Sequence, residues 1–163
     1  VPAEIAFRSW TADDADWYVR QVTDPGILRY TTERATLTAG QFREALDRLD
    51  NSDDELGFVA VDAETGQRLA NFAALRNGST AVVSYWVAAG ARGRGVATRG
   101  LRELCTRALD QWPITELRLY THAENLASQR VAENAGFQPL ADMPTVREVY
   151  GVVWPVRWFE RAR

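Results

Sequence analysis

The stretch Ala91-Arg92-Gly93-Arg94-Gly95-Val96-Ala97-Thr98-Arg99 gathers residue types that hold an oxyanion. It lies between an apolar run, AVVSYWVAAG, and GLRELCTRALDQW, whose apolar residues recur at helical spacing. A turn entering a helix presents backbone N–H groups without intrahelical partners, and the helix dipole adds positive potential there. Gly93 and Gly95 let a ligand come close because no Cβ intervenes, and Ala97 keeps the next turn slim. Arg92 and Arg94 add guanidinium groups suited to charge-assisted, bidentate hydrogen bonds. A pyrophosphate is the guest this chemistry fits. Other phosphate motifs fail on residue identity. A Walker loop ends in Gly-Lys-Ser/Thr, and the chain has no lysine; the dinucleotide fingerprint needs Gly or Ala at 98, where Thr98 stands. On the glycines alone, a solvated strand-to-helix connection is an equal reading.

Such a turn needs a strand, a helix and a following strand to hold it. The pattern predicts a strand over 79–88, a helix over 95–111 stopped by Pro113, and a strand over 115–121. A strand–helix–strand unit of this length makes its two strands parallel, with a right-handed crossover. Upstream, EIAFRSW reads as a first strand and TADDADWYVRQVTD as a helix capped by Thr11 and broken by Asp24-Pro25-Gly26. TAGQFREALDRLD reads as a second helix capped by Thr38. ELGFVAVDA and RLANFAALR form a hairpin turning at Gly66, and Asn77-Gly78 turns into the third strand of that series. Downstream, ENLASQRVAENAGF is a short helix ended by Gly136, and REVYGVVWPVRWF is strand-like at least up to Pro155. The fold class is α/β (α+β): a mixed central sheet of about six to seven strands with helices on both faces.

At 163 residues the chain is most simply one domain, 1–163, with enough length for a full core. All 19 basic residues are arginine, against 22 acidic ones, giving a net charge of −3. That balance argues against nucleic acid as the main partner. No window approaches the ~20 apolar residues of a membrane span, and VPAEIAFRSW lacks the basic-then-apolar pattern of a signal peptide. The single Cys105 forms no internal disulfide, which fits a reducing compartment. A soluble cytoplasmic protein is the expectation, and no metal-ligand pattern is present.

SYWVAAGARGRGVATRGLREL resembles the acetyl-coenzyme-A signature of the GNAT superfamily of N-acetyltransferases, whose pattern Gln/Arg-x-x-Gly-x-Gly/Ala is met by Arg92, Gly95 and Ala97. Downstream, Asn125, Ser128 and Gly136-Phe137 match the family's Asn-x-x-Ser…Gly-Phe pattern. The opening FRSWTADDADWYVRQVTDPGILRYTTE looks like the branch that acetylates ribosomal-protein N-termini. The resemblance covers essentially the whole chain. It implies a sheet splayed between the two parallel strands, with acetyl-CoA as cofactor and its pantetheine arm in the wedge. On these positions, Trp86, Val87 and Ala88 would offer backbone groups to the arm. The amides of Arg92, Gly93, Arg94, Gly95, Val96, Ala97 and Thr98 would hold the pyrophosphate. Asn125 would bond the pantetheine or thioester region, or else cap its helix.

Transfer to an amine needs the amine neutral, the carbonyl polarised, and a proton for the departing thiolate. The resemblance implies an oxyanion donor at the amide of Val87 or Ala88. The tyrosine that some members use for the thiolate falls at Ala132, and the strand acid of others at Val82 and Val83, both apolar here. Ser128 takes the thiolate role instead, as in the ribosomal-protein branch. Glu33 and His122, the only histidine, are the expected bases; an imidazole ordinarily titrates at about 6.5, which suits one. Asn71, Tyr85, Glu148 and Tyr150, with Glu33, are the expected acceptor contacts. The resulting expectation is an acetyltransferase acting through a ternary complex on a primary amine, preferably a protein or peptide α-amine. The alternatives are a small-molecule amine (antibiotic, polyamine or amino sugar) and a catalytically weak CoA-binding sensor. The sequence leaves the oligomeric state open, a homodimer included.

Overall fold

The computed structural model describes residues 4–163. β1 (Ile5–Arg8) passes through a 3-10 turn at Ala12–Asp14 into α1 (Ala15–Gln21), α2 (Pro25–Leu28) and α3 (Ala39–Asp50). Three hairpin-linked strands follow: β2 (Glu55–Asp62), β3 (Arg68–Asn77) and β4 (Thr80–Val87). α4 (Val96–Gln111) crosses to β5 (Glu116–His122), and α5 (Leu126–Asn134) leads to β6 (Gln138–Pro139), β7 (Val146–Val149) and β8 (Val152–Ala162). The sheet runs β1-β2-β3-β4-β5-β8-β6, with β7 pairing β8 off this path. Only β4 and β5 are parallel neighbours among these pairs. The mixed sheet with flanking helices is the expected one, with eight strands where six to seven were expected.

Each face has its own reason to be covered. On one, Phe58, Phe72 and Val83 pack under Leu101, Leu104, Cys105 and Ala108 of α4, which recur at helical spacing and are all fully buried. α4 lies close to the sheet because Gly100 has no side chain: a Cβ there would sit 1.9 Å from the Phe72 ring. On the other face, Val59 and Val61 meet Trp10, Ala15 and Phe42 from the first strand's end, α1 and α3. α3 is capped as expected, the Thr38 hydroxyl accepting from the Gln41 N–H at 3.1 Å and Gln41 Oε1 accepting from the Thr38 N–H at 3.0 Å.

Two segments differ from the sequence reading. Asp24-Pro25-Gly26 ends α1 and also starts α2: the Asp24 carboxylate accepts from the Gly26 N–H at 2.9 Å, and proline suits a first helical turn. The final segment is two strands rather than one. Tyr150 (φ +50°) and Gly151 (φ +79°) are both left-handed and reverse the chain, and tyrosine is a poor sequence signal for such a turn. β8 continues through Pro155 to Ala162, because the proline carbonyl accepts from Ala123 N–H at 2.9 Å and the next N–H reaches the Thr145 carbonyl at 2.8 Å.

The start of the chain is tied to the sheet by Asp14, which is fully buried. Its carboxylate accepts two hydrogen bonds from Arg8 at 2.9 Å, one from the Thr11 N–H at 2.8 Å and one from Arg68 Nε. Burial alone would raise its pKa, but Arg8, the Thr11 amide and Arg68 outweigh it and hold the carboxyl well below the ordinary carboxylate range. A pKa depressed by folding contributes stability that is complete above the unfolded value and is lost as the pH falls below it. Asp14→Asn should therefore cost about 3 kcal/mol at neutral pH. Thermal unfolding followed from pH 7 downward should show the parent losing stability below about pH 4, with the variant's curve flatter.

Candidate functional site

The turn between β4 and α4 has the backbone expected of an anion cradle. Gly93 (φ +76°) and Gly95 (φ +75°) are both left-handed, and nothing lies within 4 Å of where either Cβ would stand. Gly95 is the N-cap of α4 and supplies no side-chain cap. The first intrahelical bond is Arg99 N–H to Gly95 C=O at 3.2 Å, so the N–H groups of Val96, Ala97 and Thr98 precede the ladder. The arginines sit to either side. Arg92 pairs with Asp24 at 2.8 Å, tying this turn to α2, whereas Arg94 folds back onto the Gly90 carbonyl at 3.1 Å and does not line the cavity.

Beside the turn the sheet opens. β4 and β5 are in register only over Thr80–Val82 and Glu116–Arg118. The Ala88 N–H donates to the Leu69 carbonyl at 2.9 Å. Antiparallel pairing alternates, so Trp86 likewise turns both backbone groups to β3, while Tyr85 and Val87 turn theirs toward the gap. Of the three residues expected to serve the wedge, Val87 alone faces it; Ala88, already bonded to β3, has no N–H left for an oxyanion, and Tyr85 joins Val87. A cavity of about 930 Å³ fills this opening and continues beneath α1 and α3. Arg92, Gly93, Gly95, Val96, Ala97 and Thr98 line its one end. The Thr121 hydroxyl of β5, also on its wall, is buried without a hydrogen-bond partner. A diphosphate with an extended amide-bearing arm fits these groups: free N–H donors at the helix start, unpaired strand edges, and an orphaned hydroxyl between them.

Asn125 and Ser128 line the same cavity. Asn125 is the N-cap of α5, its Oδ1 accepting from the Ser128 N–H at 3.2 Å, which leaves its amide nitrogen and one oxygen lone pair for a ligand. Gln129 anchors that helix, donating to the carbonyls of His122 and Ala123 at 3.4 and 3.0 Å and accepting from Arg157 at 2.7 Å. Ser128 Oγ then lies 2.8 Å from Tyr85 Oη, across the gap between β4 and α5. Burial raises the Tyr85 phenol to about 12, the bond to Ser128 drawing it partly back, so it stays protonated at neutral pH. This hydroxyl pair brings together two residues that the sequence placed in different roles.

Glu33 lines the same cavity. Its Oε1 accepts from Tyr18 Oη and from Trp86 Nε1, the latter at 3.1 Å; Oε2 has no hydrogen bond among the described residues. Burial, then the charge of Glu33, raise the Tyr18 phenol well above its ordinary value, so it remains a donor. Trp17, Tyr18 and Trp86 stack around this point at centroid distances of 5.2 to 5.8 Å. Asn71 lines the cavity next to Trp86 across β3. His122, Glu148 and Tyr150 do not line it. His122 Nδ1 accepts from the Glu124 N–H at 3.1 Å, which leaves its neutral form no free lone pair, and its ring packs against Tyr30 and Trp154. Glu148 is exposed on β7, opposite Val153. Tyr150 instead braces the loop that carries Glu33, donating to the Thr32 carbonyl, with the Arg34 guanidinium 3.8 Å over its ring.

Tyr18 and Asp24 were missed as site residues. Tyr18 reads from the sequence as a core aromatic of α1, which it also is. Asp24 reads as part of a helix break, and its partner Arg92 is 68 positions away. Among the described residues no cluster of His, Cys, Asp or Glu has a metal-holding arrangement, and no helix is long and apolar enough to cross a membrane.

The Acetyltransferase (GNAT) domain family matches residues 4–138. No curated protein matches the chain by sequence. Among solved structures, a spermidine N-acetyltransferase from Vibrio cholerae, in complex with CoA and spermine, is 16% identical with a TM-score of 0.84, over 97% of this chain and 95% of that one. An acetyl transferase from Salmonella typhimurium that modifies the N-terminal serine of a 50S ribosomal subunit protein is 13% identical, TM-score 0.82, over 98% and 95%. A microcin self-immunity acetyltransferase, in complex with acetyl-CoA and AMP, is 14% identical, TM-score 0.84, over 98% and 93%. At these identities the likeness is one of fold, and it does not single out the ribosomal branch that the N-terminal segment resembles.

Gly95→Glu should abolish acetyl-CoA binding by calorimetry, because it places bulk and negative charge over the three free amides of α4. Unchanged affinity would show that this turn is not the cofactor's cradle.

Proposed function

The chain belongs to the GNAT acetyltransferase family, an acetyl-CoA-dependent enzyme acting on an amine, and on that premise we propose that its acceptor is a small-molecule primary amine. The spermidine enzyme, in complex with spermine, supports a small acceptor over a protein N-terminus, and the microcin-immunity enzyme is in complex with the small molecule AMP as well as acetyl-CoA. The observation that carries the reading is that one cavity is lined both by Glu33 and by the Ser128–Tyr85 pair.

Acetyl-CoA supplies the acyl group as an activated thioester when bound. Every other task falls to the chain. The amides of Val96, Ala97 and Thr98 hold the diphosphate, and the backbone groups of Tyr85 and Val87 hold the arm as an added strand would. The Val87 N–H is the oxyanion donor. Glu33 Oε2 accepts the proton that the amine loses as it attacks the carbonyl, while Tyr18 and Trp86 hold Oε1 and orient the carboxylate. The indole and phenol rings beside it favour a cationic head group. Ser128 Oγ delivers a proton to sulfur as the C–S bond breaks, Tyr85 Oη replaces it through the 2.8 Å bond, and solvent entering the cleft returns the phenol's proton. This pair answers for the tyrosine missing at Ala132.

A thiol-release assay across small amines, polyamines, amino sugars and peptides of varied N-terminus tests the reading. A small amine should turn over fastest; a peptide doing so would return the acceptor to a protein α-amine. Acetyl-CoA binding with no thiol release from any acceptor would leave a cofactor sensor. Ser128→Ala and Tyr85→Phe should each lower kcat by about a hundredfold with little change in the donor's KM, and the double variant should be no worse than Ser128→Ala. Full additivity would separate the two hydroxyls.

A further inference from the structure

We infer that the acceptor is dipolar, an amine that carries a carboxylate or phosphate on its far side, with Arg147 as the residue that receives the anion. The inference rests on acetyl transfer to a small amine and narrows which amine.

The charges on the cavity wall are unevenly satisfied. Three arginines line it. Arg92 is paired with Asp24 at 2.8 Å, and Arg48 faces Glu55 at 4.0 Å. The Arg147 side chain, on β7, has neither an ion pair nor a hydrogen bond among the described residues; its guanidinium carbon lies 4.6 Å over the Tyr120 ring. Stacking occupies a flat face of the guanidinium and leaves its in-plane N–H fork open, the geometry that grips a carboxylate or phosphate with two parallel bonds. Glu33 is the unpaired anion of the same cavity, held by Tyr18 and Trp86. Ser84 and Ala73, cross-strand neighbours with small, uncharged side chains, belong to the same lining.

A cavity with one open carboxylate and one open guanidinium complements a ligand of the same two charges, reversed. A polyamine does not match it. Its first ammonium would satisfy Glu33, but a second would meet Arg147, and like charge at the far end disfavours that partner. A monoamine with no anionic group leaves Arg147 unanswered.

The test is thiol release with acceptors in matched pairs of equal chain length. Each pair sets an aminocarboxylate against the alkylamine that lacks the carboxylate, over several lengths, with O-phosphoethanolamine as the phosphate arm and spermidine as the polycation. In the parent, the carboxylate-bearing member of the best pair should show kcat/KM about tenfold or more above its plain alkylamine counterpart, and the carboxylate and phosphate arms tell which oxyanion is preferred. R147Q should bring that ratio close to one, and R147E should invert it and raise spermidine above the aminocarboxylates. Acetyl-CoA affinity by calorimetry should be the same in all three proteins. Spermidine as the best acceptor of the parent overturns the inference while leaving amine acetylation intact. So does an R147Q loss shared equally by both members of a pair, which is what a merely structural arginine gives. Thiol release with no amine at all sinks the underlying reading as well.

Discussion

The parting of β4 from β5 after three residue pairs is the constraint on which the rest of the site depends. Backbone N–H and C=O groups are seldom left without partners, and a buried one costs about 1–3 kcal/mol. Here the unpaired groups of Tyr85 and Val87 face a cavity, where a ligand or water can reach them. The gap is held open by what lies on each side. α5 begins directly after β5 and is fastened to that strand's last carbonyls by Gln129, while α4 is seated on the opposite strands through Gly100. Neither helix can fill the space between.

Two carboxylates show how environment assigns roles. Asp14 is buried against two guanidinium groups and a backbone amide, so its charge is spent on joining β1, the 3-10 turn and β3. Glu33 is met only by a phenol and an indole, both neutral. They fix one oxygen without cancelling the charge, and the other is left for a ligand. A buried ion pair suits architecture; a carboxylate with neutral donors suits recognition. Throughout, the partnering cations are arginines, whose forks can bridge several acceptors at once, as Arg8 does with both Asp14 oxygens.

Much of this was legible in the sequence because local signals and tertiary demands agree. The glycine-flanked turn, the amphipathic period of α4, the Thr38 capping box and the Asn-Gly hairpin each carry their own geometry, and the parallel crossover follows from them. What was not legible depends on register or on distant partners. Which backbone groups of 86–88 face the gap is decided by pairing with Leu69, one residue of alternation that spacing alone does not reveal. The meeting of Tyr85 with Ser128 spans 43 positions, and that of Trp86 with Glu33 spans 53. His122 looked chemical as the only histidine, but its ring nitrogen serves the turn into α5. Tyr150 was named for the pocket and instead props the loop that forms its rim; a tyrosine in a left-handed turn gives no warning in sequence.

The fit of Gly100 against Phe72 also limits how the molecule can breathe. With the ring occupying the space where a Cβ would stand, α4 and the β1–β4 half of the sheet are locked as one block. The core under α4 runs on without a break into β5, α5 and β8, and Arg102 of α4 donates to the Asn134 carbonyl of α5 at 2.6 Å. A residue larger than glycine at 100 would therefore lift α4 off the Phe72 ring and carry with it the three amides at its start.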